Sequence, residues 1–347
     1  MLSEAPPRAL RLDIDRDALA ANWRVLDRLS GKAHTGAAVK ADAYGLGTAT
    51  VVPVLHAAGC RDFFVAHWSE VAEVAALVDP AAISVLHGPL TPADAAYAAA
   101  VGVKPVINSI RQAKLWLDAG GGVCDLMVDT GMNRLGLPMT DLGGEPIRQL
   151  EVETLLSHLA SADEDVPLNA LQLSRWQDAR RALTHKRASL ANSAGILLGE
   201  AYHGDLTRPG LSLYGGVQRD ELAGLIRQVV RPMATIIQTR KIQAGDTLGY
   251  NATFTAVAPM RVGTIALGYA DGYLRCWSGK GSLINGGRRL PVLGRVSMDM
   301  TIIDLGAAPD LDEGDWVEVE YDLPAASATS GLSQYELITS LGRRFQR

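Results

Sequence analysis

The stretch KPVINSIRQAKLWLDAGGGVCDLMVD, residues 104–129, decides the fold class of this chain. It begins and ends with short apolar runs, KPVIN and DLMVD, which are typical of buried strands. The segment between them is rich in Ala and Leu, as helices are. A strand, a helix and a second strand in this order predict a βαβ unit, and therefore an α/β protein with a parallel sheet.

The same alternation extends over the first two thirds of the chain. The stretches Asp17 to Leu29 and Asn169 to Leu183 carry charges opposite their apolar residues, as helices on the outside of a barrel do. Eight strands in succession predict an N-terminal (β/α)8 barrel of the TIM type. The predicted strands end near Asp42, His67, His87, Asn108, Asp129, Leu159, Asn192 and Gly210.

The pattern changes after Arg231-Pro232, where strand-like runs punctuated by Gly replace the helices. These runs, including ATIIQTRKI and DWVEVE, predict a C-terminal, mostly antiparallel β-domain. The alternating stretch Ala9 to Ile14 is expected to pair with it. We therefore predict a barrel domain over residues 12–230 and a β-domain over residues 231–347, joined by an N-terminal strand within residues 1–11.

Composition excludes several classes of protein. The 347 residues carry 33 basic and 38 acidic side chains, a net charge of -5 without a basic run, so we do not expect nucleic acid as a partner. Cys60, Cys124 and Cys276 are scattered, which favours a reducing cytoplasm over a disulfide framework or a thiolate metal site. The N-terminus lacks the apolar stretch of a secretion signal and is expected to remain. No run approaches the ~20 apolar residues of a membrane span.

Reactive side chains of a barrel lie at the carboxyl ends of its strands, around a single mouth. Taken singly, the polar residues at these positions have ordinary interpretations. Lys40 could be solvated, Arg134 could be a loop charge, His158 could be a hydrogen-bonded core histidine, and Ser193 could cap a helix. Their convergence at one mouth favours a site instead. The converging residues are Lys40, Arg134, His158, Asn192, Ser193 and Arg208.

This set suits an anionic ligand with a reactive carbonyl. A desolvated lysine forms a Schiff base with an aldehyde. The glycines of GLSLYGG and the Ser193 hydroxyl provide N–H and O–H groups for a phosphate. Pyridoxal 5'-phosphate meets these demands, and no metal is expected.

Four motifs in order give the chain a specific resemblance to the alanine racemase family over nearly its full length. AVKADAYG (38–45) resembles the family's cofactor-lysine motif, and DTGMNRLG (129–136) resembles its arginine loop. TRPGLSLYG (207–215) resembles the segment that contacts the pyridine, and GYADG (268–272) the loop with the second base. The resemblance implies a cytoplasmic isomerase that interconverts L-alanine and D-alanine.

The resemblance also assigns roles by position. Lys40 would be the Schiff-base lysine and the base on the D-alanine side, and Arg134 would hydrogen-bond the cofactor and lie near the substrate carboxylate. His158 would stack on the pyridine and share a hydrogen-bond network with Arg208. The residues assigned to the phosphate and ring environment are Tyr44, Ser193, Gly210, Leu211 and Tyr214.

Arg208 has a chemical consequence of its own. A guanidinium cannot accept a proton, so it must donate to the pyridine nitrogen. The unprotonated ring is a weaker electron sink than a pyridinium paired with a carboxylate. This favours racemisation over transamination.

Inversion of a stereocentre requires proton removal from one face and delivery to the other, and so an acid/base group on each side. By resemblance the second group is Tyr269, which enters from the neighbouring subunit. GRVSMDM would add Met298 and Asp299 as substrate contacts from the same subunit. The implied assembly is a homodimer with composite active sites.

Three positions depart from the family. Met127 stands where the family often has a carboxylated lysine that positions the arginine, so another group must hold Arg134. In SLGRRFQR, Arg343 or a neighbour replaces a tyrosine that contacts the phosphate. Leu46 stands where His or Asn is frequent.

Other functions stay open at this point. A racemase of broader preference, for example for serine, differs only in pocket contacts worth ~1–3 kcal/mol. A decarboxylase of the same fold class would pair its pyridine nitrogen with a carboxylate, whereas TRPG offers an arginine. A non-catalytic cofactor-binding protein would have no need of Tyr269. Either a biosynthetic role, supplying D-alanine for peptidoglycan, or a catabolic role fits the sequence.

Overall fold

The computed structural model describes residues 6–347 and divides into two compact units. One unit is Arg16–Arg227, and the other is Gln228–Arg347 with the chain that precedes Arg16. The division thus falls a few residues from the predicted boundaries at 12 and 231. The first strand, β1 (Leu10–Ile14), belongs to the second unit. Of the predicted strand within 1–11, residues 1–5 lie outside the described part of the chain.

The first unit contains short parallel strands that follow one another around a curled sheet. They are β2 (His34–Thr35), β3 (Ala37–Ala38), β4 (Phe63–Val65), β5 (Ile83–Val85), β6 (Lys104–Ile107), β7 (Val123–Asp129), β8 (Leu137–Pro138), β9 (Glu151–Leu156), β10 (Arg187–Ser189) and β11 (Leu206–Thr207).

Pairing closes these strands into the predicted barrel. The sheet runs β3-β4-β5-β6-β7-β9-β10, and β11 pairs with β2, which continues into β3 after Gly36. Between β10 and β11, backbone bonds from Asp205 N to Ala188 O (2.7 Å) and from Arg208 N to Ala191 O (2.9 Å) complete the ring. Counting β2 and β3 as one, eight strands form the wall, and β8 is an extra pair on β7. The prediction of a TIM-type barrel is confirmed.

Helical segments alternate with the barrel strands. The predicted helices at Asp17–Leu29 and Asn169–Leu183 correspond to the first and last of them, within two residues at each end. The first packs Leu19, Trp23 and Leu26 inwards at helical spacing. The segments are α1 (Arg16–Leu29), α2 (Lys40–Tyr44), α3 (Thr48–Ala58), α4 (Val71–Ala75), α5 (Pro92–Val101), α6 (Ile110–Asp118), α7 (Glu145–Arg148) and α8 (Pro167–Ala182).

The second unit is an antiparallel β-domain. Its strands are β12 (Val230–Ile242), β13 (Thr247–Leu248), β14 (Phe254–Thr255), β15 (Met260–Ile265), β16 (Ser282–Asn285), β17 (Arg288–Leu293), β18 (Thr301–Asp304) and β19 (Trp316–Val319). They pair in the order β12-β15-β18-β17-β16-β19, and β19 pairs again with the long β12, so the sheet closes on itself. β1 pairs antiparallel with β12.

The predicted antiparallel domain is confirmed, with two elements that the sequence analysis did not identify. β17 was missed because RRLPVL contains a proline and two charges, and α9 (Leu323–Ser330) because LPAASATS has no amphipathic pattern. The last described helix is α10 (Gln334–Thr339). Within residues 6–347, no helix combines the length and apolar character needed to cross a membrane.

Candidate active site

Lys40 lies just beyond the first barrel strand, at the mouth of the barrel. The two residues before it are bonded to the strands on either side: Ala38 N donates to Pro209 O and Val39 N to Phe64 O, both at 2.9 Å. These bonds fix the backbone from which the lysine side chain projects. The sequence analysis placed Lys40 inside a strand, but the strand ends at Ala38.

The chain then makes a left-handed turn. Ala41, Asp42, Ala43 and Tyr44 have φ angles of 56, 53, 52 and 57°. This conformation costs about 1–2 kcal/mol for each residue with a side chain, and it persists only where its surroundings enforce it. Glu70 does so in part, since its Oε1 accepts from Ala41 N at 2.6 Å. Such strain next to a reactive lysine is typical of functional sites.

The electrostatic surroundings of Lys40 favour the neutral form of its amine. Burial lowers its pKa, the charge of Arg134 lowers it further, and Arg208 adds to the effect, while Glu70 opposes them. Among the described residues, no carboxylate forms an ion pair with Lys40. A lowered pKa raises the fraction of neutral amine, which is the form that attacks a carbonyl.

Arg208, which is buried, and His158, which is half-buried, lie on the last strands of the barrel. Arg208 Nη2 donates to Ser157 O at 2.6 Å and Nη1 to Ser189 Oγ at 2.5 Å. Burial lowers the pKa of Arg208 to about 10, so the guanidinium stays charged at neutral pH. Burial, together with Arg208, Arg134 and Lys40, lowers the pKa of His158 to about 3. The imidazole is therefore neutral.

A cradle of small polar groups lies on the loop after β11. Ser193 Oγ accepts from Gly210 N at 3.0 Å and from Ser212 N at 3.3 Å. The Ser212 hydroxyl is buried and has no hydrogen-bond partner among the described residues. A Cβ at Gly210 would lie 2.3 Å from the Tyr44 hydroxyl oxygen, so only glycine allows this approach. The cradle thus combines hydroxyls and backbone N–H groups, the donors that bind a phosphate.

Tyr214 closes this region from below. Its ring stacks on Tyr44 with centroids 4.7 Å apart, and its hydroxyl donates to Ala38 O at 2.8 Å. The ring is fully buried, and burial raises its pKa well above the ordinary value. Tyr214 therefore supports the Tyr44 ring and the strand before Lys40. Leu211, in the same turn, is also buried.

The arginine loop is held by its first residue. Asp129 Oδ1 accepts from the backbone N of Gly131, Met132 and Asn133 at 2.8, 3.0 and 3.1 Å. The Arg134 side chain itself is exposed and forms no hydrogen bond or ion pair within residues 6–347.

Met127 lies in the apolar layer of the barrel, where it packs with Phe64 and Leu156. A thioether in this layer offers Arg134 no charged partner. Arg134 is therefore positioned by its loop backbone, which Asp129 holds through three hydrogen bonds.

Gln172 ties the arginine loop to the strand of His158. Its Nε2 donates to Thr130 Oγ1 at 3.1 Å and to His158 O at 3.0 Å, and its Oε1 accepts from Ala160 N at 2.9 Å. The side chain is fully buried. The sequence analysis missed Gln172, because a glutamine on the inner face of α8 gives no signal of its contacts. Asp129 carried a detectable signal, since Asp before Thr-Gly is typical of a turn closed by its own carboxylate.

The remaining predicted residues lie on two adjoining loops of the β-domain. Tyr269 N donates to Ser297 O and Ala270 N to Met298 O, both at 3.0 Å. The guanidinium of Arg275 lies 5.3 Å from the centre of the Tyr269 ring. Met298 is 53% exposed, which is unusual for a large apolar side chain and typical of a contact surface.

The structure thus assembles the predicted residues in two groups. Lys40, Tyr44, Arg134, His158, Ser193, Arg208, Gly210, Leu211 and Tyr214 belong to the barrel, and Tyr269, Met298 and Asp299 to the β-domain. Within residues 6–347, no cluster of three or more His, Cys, Asp or Glu side chains is arranged to hold a metal ion.

Fold and site together define a barrel protein with a half-buried lysine of lowered pKa at the barrel mouth and an accompanying antiparallel domain. Two family models match the chain, "Alanine racemase, N-terminal domain" over residues 14–218 and "Alanine racemase, C-terminal domain" over residues 229–347. The chain belongs to the alanine racemase family of isomerases.

Known relatives match over nearly their whole length. An alanine racemase of Methylobacterium nodulans is 43% identical over 97% of this chain and 95% of its own. A catabolic alanine racemase of Agrobacterium fabrum is 40% identical over 97% of this chain and 91% of its own. The crystal structure of alanine racemase from Bartonella henselae with covalently bound pyridoxal phosphate has a TM-score of 0.90 and 34% identity, covering 98% of this chain and 99% of that one.

Proposed function

We propose that this chain interconverts L-alanine and D-alanine with pyridoxal 5'-phosphate, using Lys40 and Tyr269 as bases on opposite faces of the substrate. The observation that carries the proposal is the Lys40 amine, whose pKa is lowered by burial and by Arg134. An amine in this state, at the mouth of a barrel with a hydroxyl-lined cradle, suits an aldehyde that carries a phosphate.

The residues present fit the cofactor. Ser212 has a buried hydroxyl without a partner, and Ser193 and Gly210 lie beside it, so a phosphate there would satisfy a polar atom that is otherwise unpaired. Tyr44 adds a hydroxyl at the same place, and the backbone of Leu211 borders it. Lys40 would hold the aldehyde covalently. Bound cofactor supplies a conjugated ring that spreads the electron pair left when the α-proton departs.

Arg208 and His158 would set the electronic character of that ring. A guanidinium held by Ser157 O and Ser189 Oγ can only donate, so a pyridine nitrogen bound by it would stay unprotonated. The neutral imidazole of His158 offers a flat, uncharged surface for the ring. Together they weaken the electron sink, which favours return of the proton to the α-carbon and disfavours transamination.

The two bases would divide the proton transfers. Tyr269 removes the α-proton of L-alanine, and Lys40 delivers a proton to the opposite face; the reverse reaction exchanges these roles. Tyr269 reaches the site from the partner subunit, in a homodimer with composite active sites. Met298 and Asp299 of the partner subunit would then border the substrate, and Arg134 would lie near its carboxylate.

Alanine is the proposed substrate. Its two enantiomers have equal free energy, so the reaction itself favours neither direction. Supply and consumption of the two enantiomers therefore set the metabolic direction. A racemase that also accepts serine is the alternative for which the exposed Met298 is relevant, since a flexible thioether adapts to a larger side chain. The cytoplasmic location inferred from the three cysteines, which are all unpaired, stays a prediction.

The test is to follow inversion and α-proton exchange separately, with purified cofactor-loaded protein in D2O. The wild type should invert alanine, measured by chiral chromatography against a panel of amino acids. Tyr269→Phe should lose inversion by about 10²–10⁴-fold. It should still exchange the α-proton of D-alanine, seen by NMR, because Lys40 serves that face alone.

The matched control is Tyr335→Phe, which also removes one phenolic hydroxyl from the β-domain and should keep wild-type turnover. Inversion at the wild-type rate by Tyr269→Phe would contradict the two-base proposal. A protein that binds the cofactor and inverts no amino acid of the panel would be a binding protein and not a racemase.

A further inference from the structure

Arg344, near the end of the chain, joins the two β-domain loops on which Tyr269 and Met298 lie. Its Nε donates to Asp271 Oδ1 at 2.6 Å and its Nη2 to Asp271 Oδ2 at 3.0 Å. Its Nη1 donates to Asp299 Oδ1 at 2.7 Å. Asp271 follows Tyr269 by two residues, and Asp299 follows Met298 directly. One guanidinium therefore holds both loops.

We propose that Arg344 is a positioning residue for the second base, and that it sets the place of the Tyr269 phenol through Asp271. This inference rests on the proposed role of Tyr269. Displacement of a reacting group by about 1 Å can reduce a rate ~10²-fold, so the orientation of this loop has a direct effect on proton transfer.

Asp271 is a buried carboxylate that depends on its hydrogen-bond partners. Its side chain is fully buried, and its Oδ2 also accepts from Gly268 N at 3.0 Å, which closes the turn that carries Tyr269. Burial raises the pKa of this carboxyl, while Gly268 and Arg344 oppose the shift. A buried carboxylate needs a partner, and the bidentate guanidinium provides it. Loss of Arg344 would leave the charge inside the turn of Tyr269 uncompensated.

The two loops pack closely against each other. A Cβ at Gly268 would lie 2.3 Å from Met298 O. With the backbone bonds from Tyr269 to Ser297 and from Ala270 to Met298, this leaves no room for one loop to shift alone. Because Arg344 binds Asp271 and Asp299 at once, it fixes the position of the two loops together.

The backbone around Arg344 is itself held by hydrogen bonds. Gly342 N donates to Asp271 O at 3.0 Å, and Gln346 N donates to Leu10 O at 2.9 Å. Leu12 N in turn donates to Gln346 O at 2.8 Å. The backbone on both sides of Arg344 is thus hydrogen-bonded to the Tyr269 loop and to β1. The position from which the Arg344 side chain extends is therefore fixed.

The experiment measures primary deuterium isotope effects in both directions on cofactor-loaded enzyme, with α-deuterated L-alanine and D-alanine. Tyr269 would act first on L-alanine and Lys40 first on D-alanine. In Arg344→Met we expect kcat to fall by about 10- to 100-fold. Because the tyrosine step becomes slower, the isotope effect should rise for L-alanine and fall towards unity for D-alanine.

Arg288→Met is the matched control, since Arg288 also forms a two-armed ion pair, with Asp310, on the surface of the β-domain. It should leave both isotope effects unchanged. Arg344→Lys should retain part of the rate, because a single ammonium cannot form the three bonds of the guanidinium. Arg344→Met/Asp271→Asn removes the buried unpaired charge and provides a folded protein if Arg344→Met alone does not fold.

A purely structural role would lower the amount of active enzyme and leave both isotope effects at wild-type values, and that result would overturn the proposal. Tyr269→Phe, assayed in parallel, separates the two claims. If Tyr269→Phe loses inversion while Arg344→Met keeps wild-type isotope effects, only the positioning role fails. If Tyr269→Phe inverts alanine normally, the two-base proposal fails first.

Discussion

Two loops of this molecule carry a residue proposed for the reaction, and each is built around an aspartate. In the barrel, Asp129 accepts three backbone amides of the loop that leads to Arg134. In the β-domain, Asp271 accepts one amide of the Tyr269 loop and two bonds from Arg344, 73 residues further along the chain.

The difference lies in what each loop depends on. Three amides within four residues of Asp129 form whenever the turn forms, so the arginine loop is stabilised locally. The tyrosine loop is complete only when the far end of the chain has docked. We infer that the arginine loop tolerates change elsewhere in the molecule, while the tyrosine loop is sensitive to the C-terminal segment.

Replacing each loop aspartate in turn should change the stability of the protein to different extents. Asp271→Ala should lower the free energy of unfolding by about 2–4 kcal/mol, since it leaves the buried Gly268 amide without a partner and removes two charge-assisted bonds from the half-exposed Arg344. Asp129→Ala, at a partly exposed position, should cost about 1–3 kcal/mol and act mainly through a higher KM for alanine. Urea unfolding and steady-state kinetics measure the two effects. Equal losses of stability would contradict the distinction between a local and a distant partner.

The stability of the barrel should also depend on pH, because basic side chains surround His158 at the barrel mouth. The pKa of His158 is about 3 in the folded protein and 6.5 for a free side chain. As the pH falls below 6.5 the unfolded chain takes up a proton that the folded chain does not. Stability is therefore lost by up to about 1.4 kcal/mol per pH unit as the pH falls towards 3.

His158→Gln should make the stability curve shallower between pH 6.5 and 4, measured by urea unfolding at each pH. Parallel curves for wild type and His158→Gln would show that folding does not lower the pKa of His158.

Most of the fold followed from local pattern. Short buried runs such as KPVIN and DLMVD mark barrel strands because a strand buried on both faces is continuously apolar. Strand β17 was missed since RRLPVL has only one buried face and a proline. Three of the four motifs led to the residues at the barrel mouth, because each of the three lies at a strand end where the fold gathers side chains. The fourth, GYADG, lies in the β-domain.

What the sequence did not reveal are the contacts between distant residues. Gln172 and Arg344 have no motif, and their partners lie 42 and 73 positions away. The left-handed turn after Lys40 was also unpredictable, since Ala41 and Ala43 have no intrinsic preference for positive φ. Such features depend on tertiary packing, which enforces a conformation that the local sequence disfavours.

The central claim is that one active site combines Lys40 of one subunit with Tyr269 of the other. The most direct measurement mixes Lys40→Ala and Tyr269→Phe proteins, each inactive alone, and lets their subunits exchange. A mixed dimer has one intact site, so the equilibrated mixture should regain about a quarter of wild-type racemase activity. If both bases came from the same chain, no mixed dimer would contain an intact site, and the mixture would stay inactive.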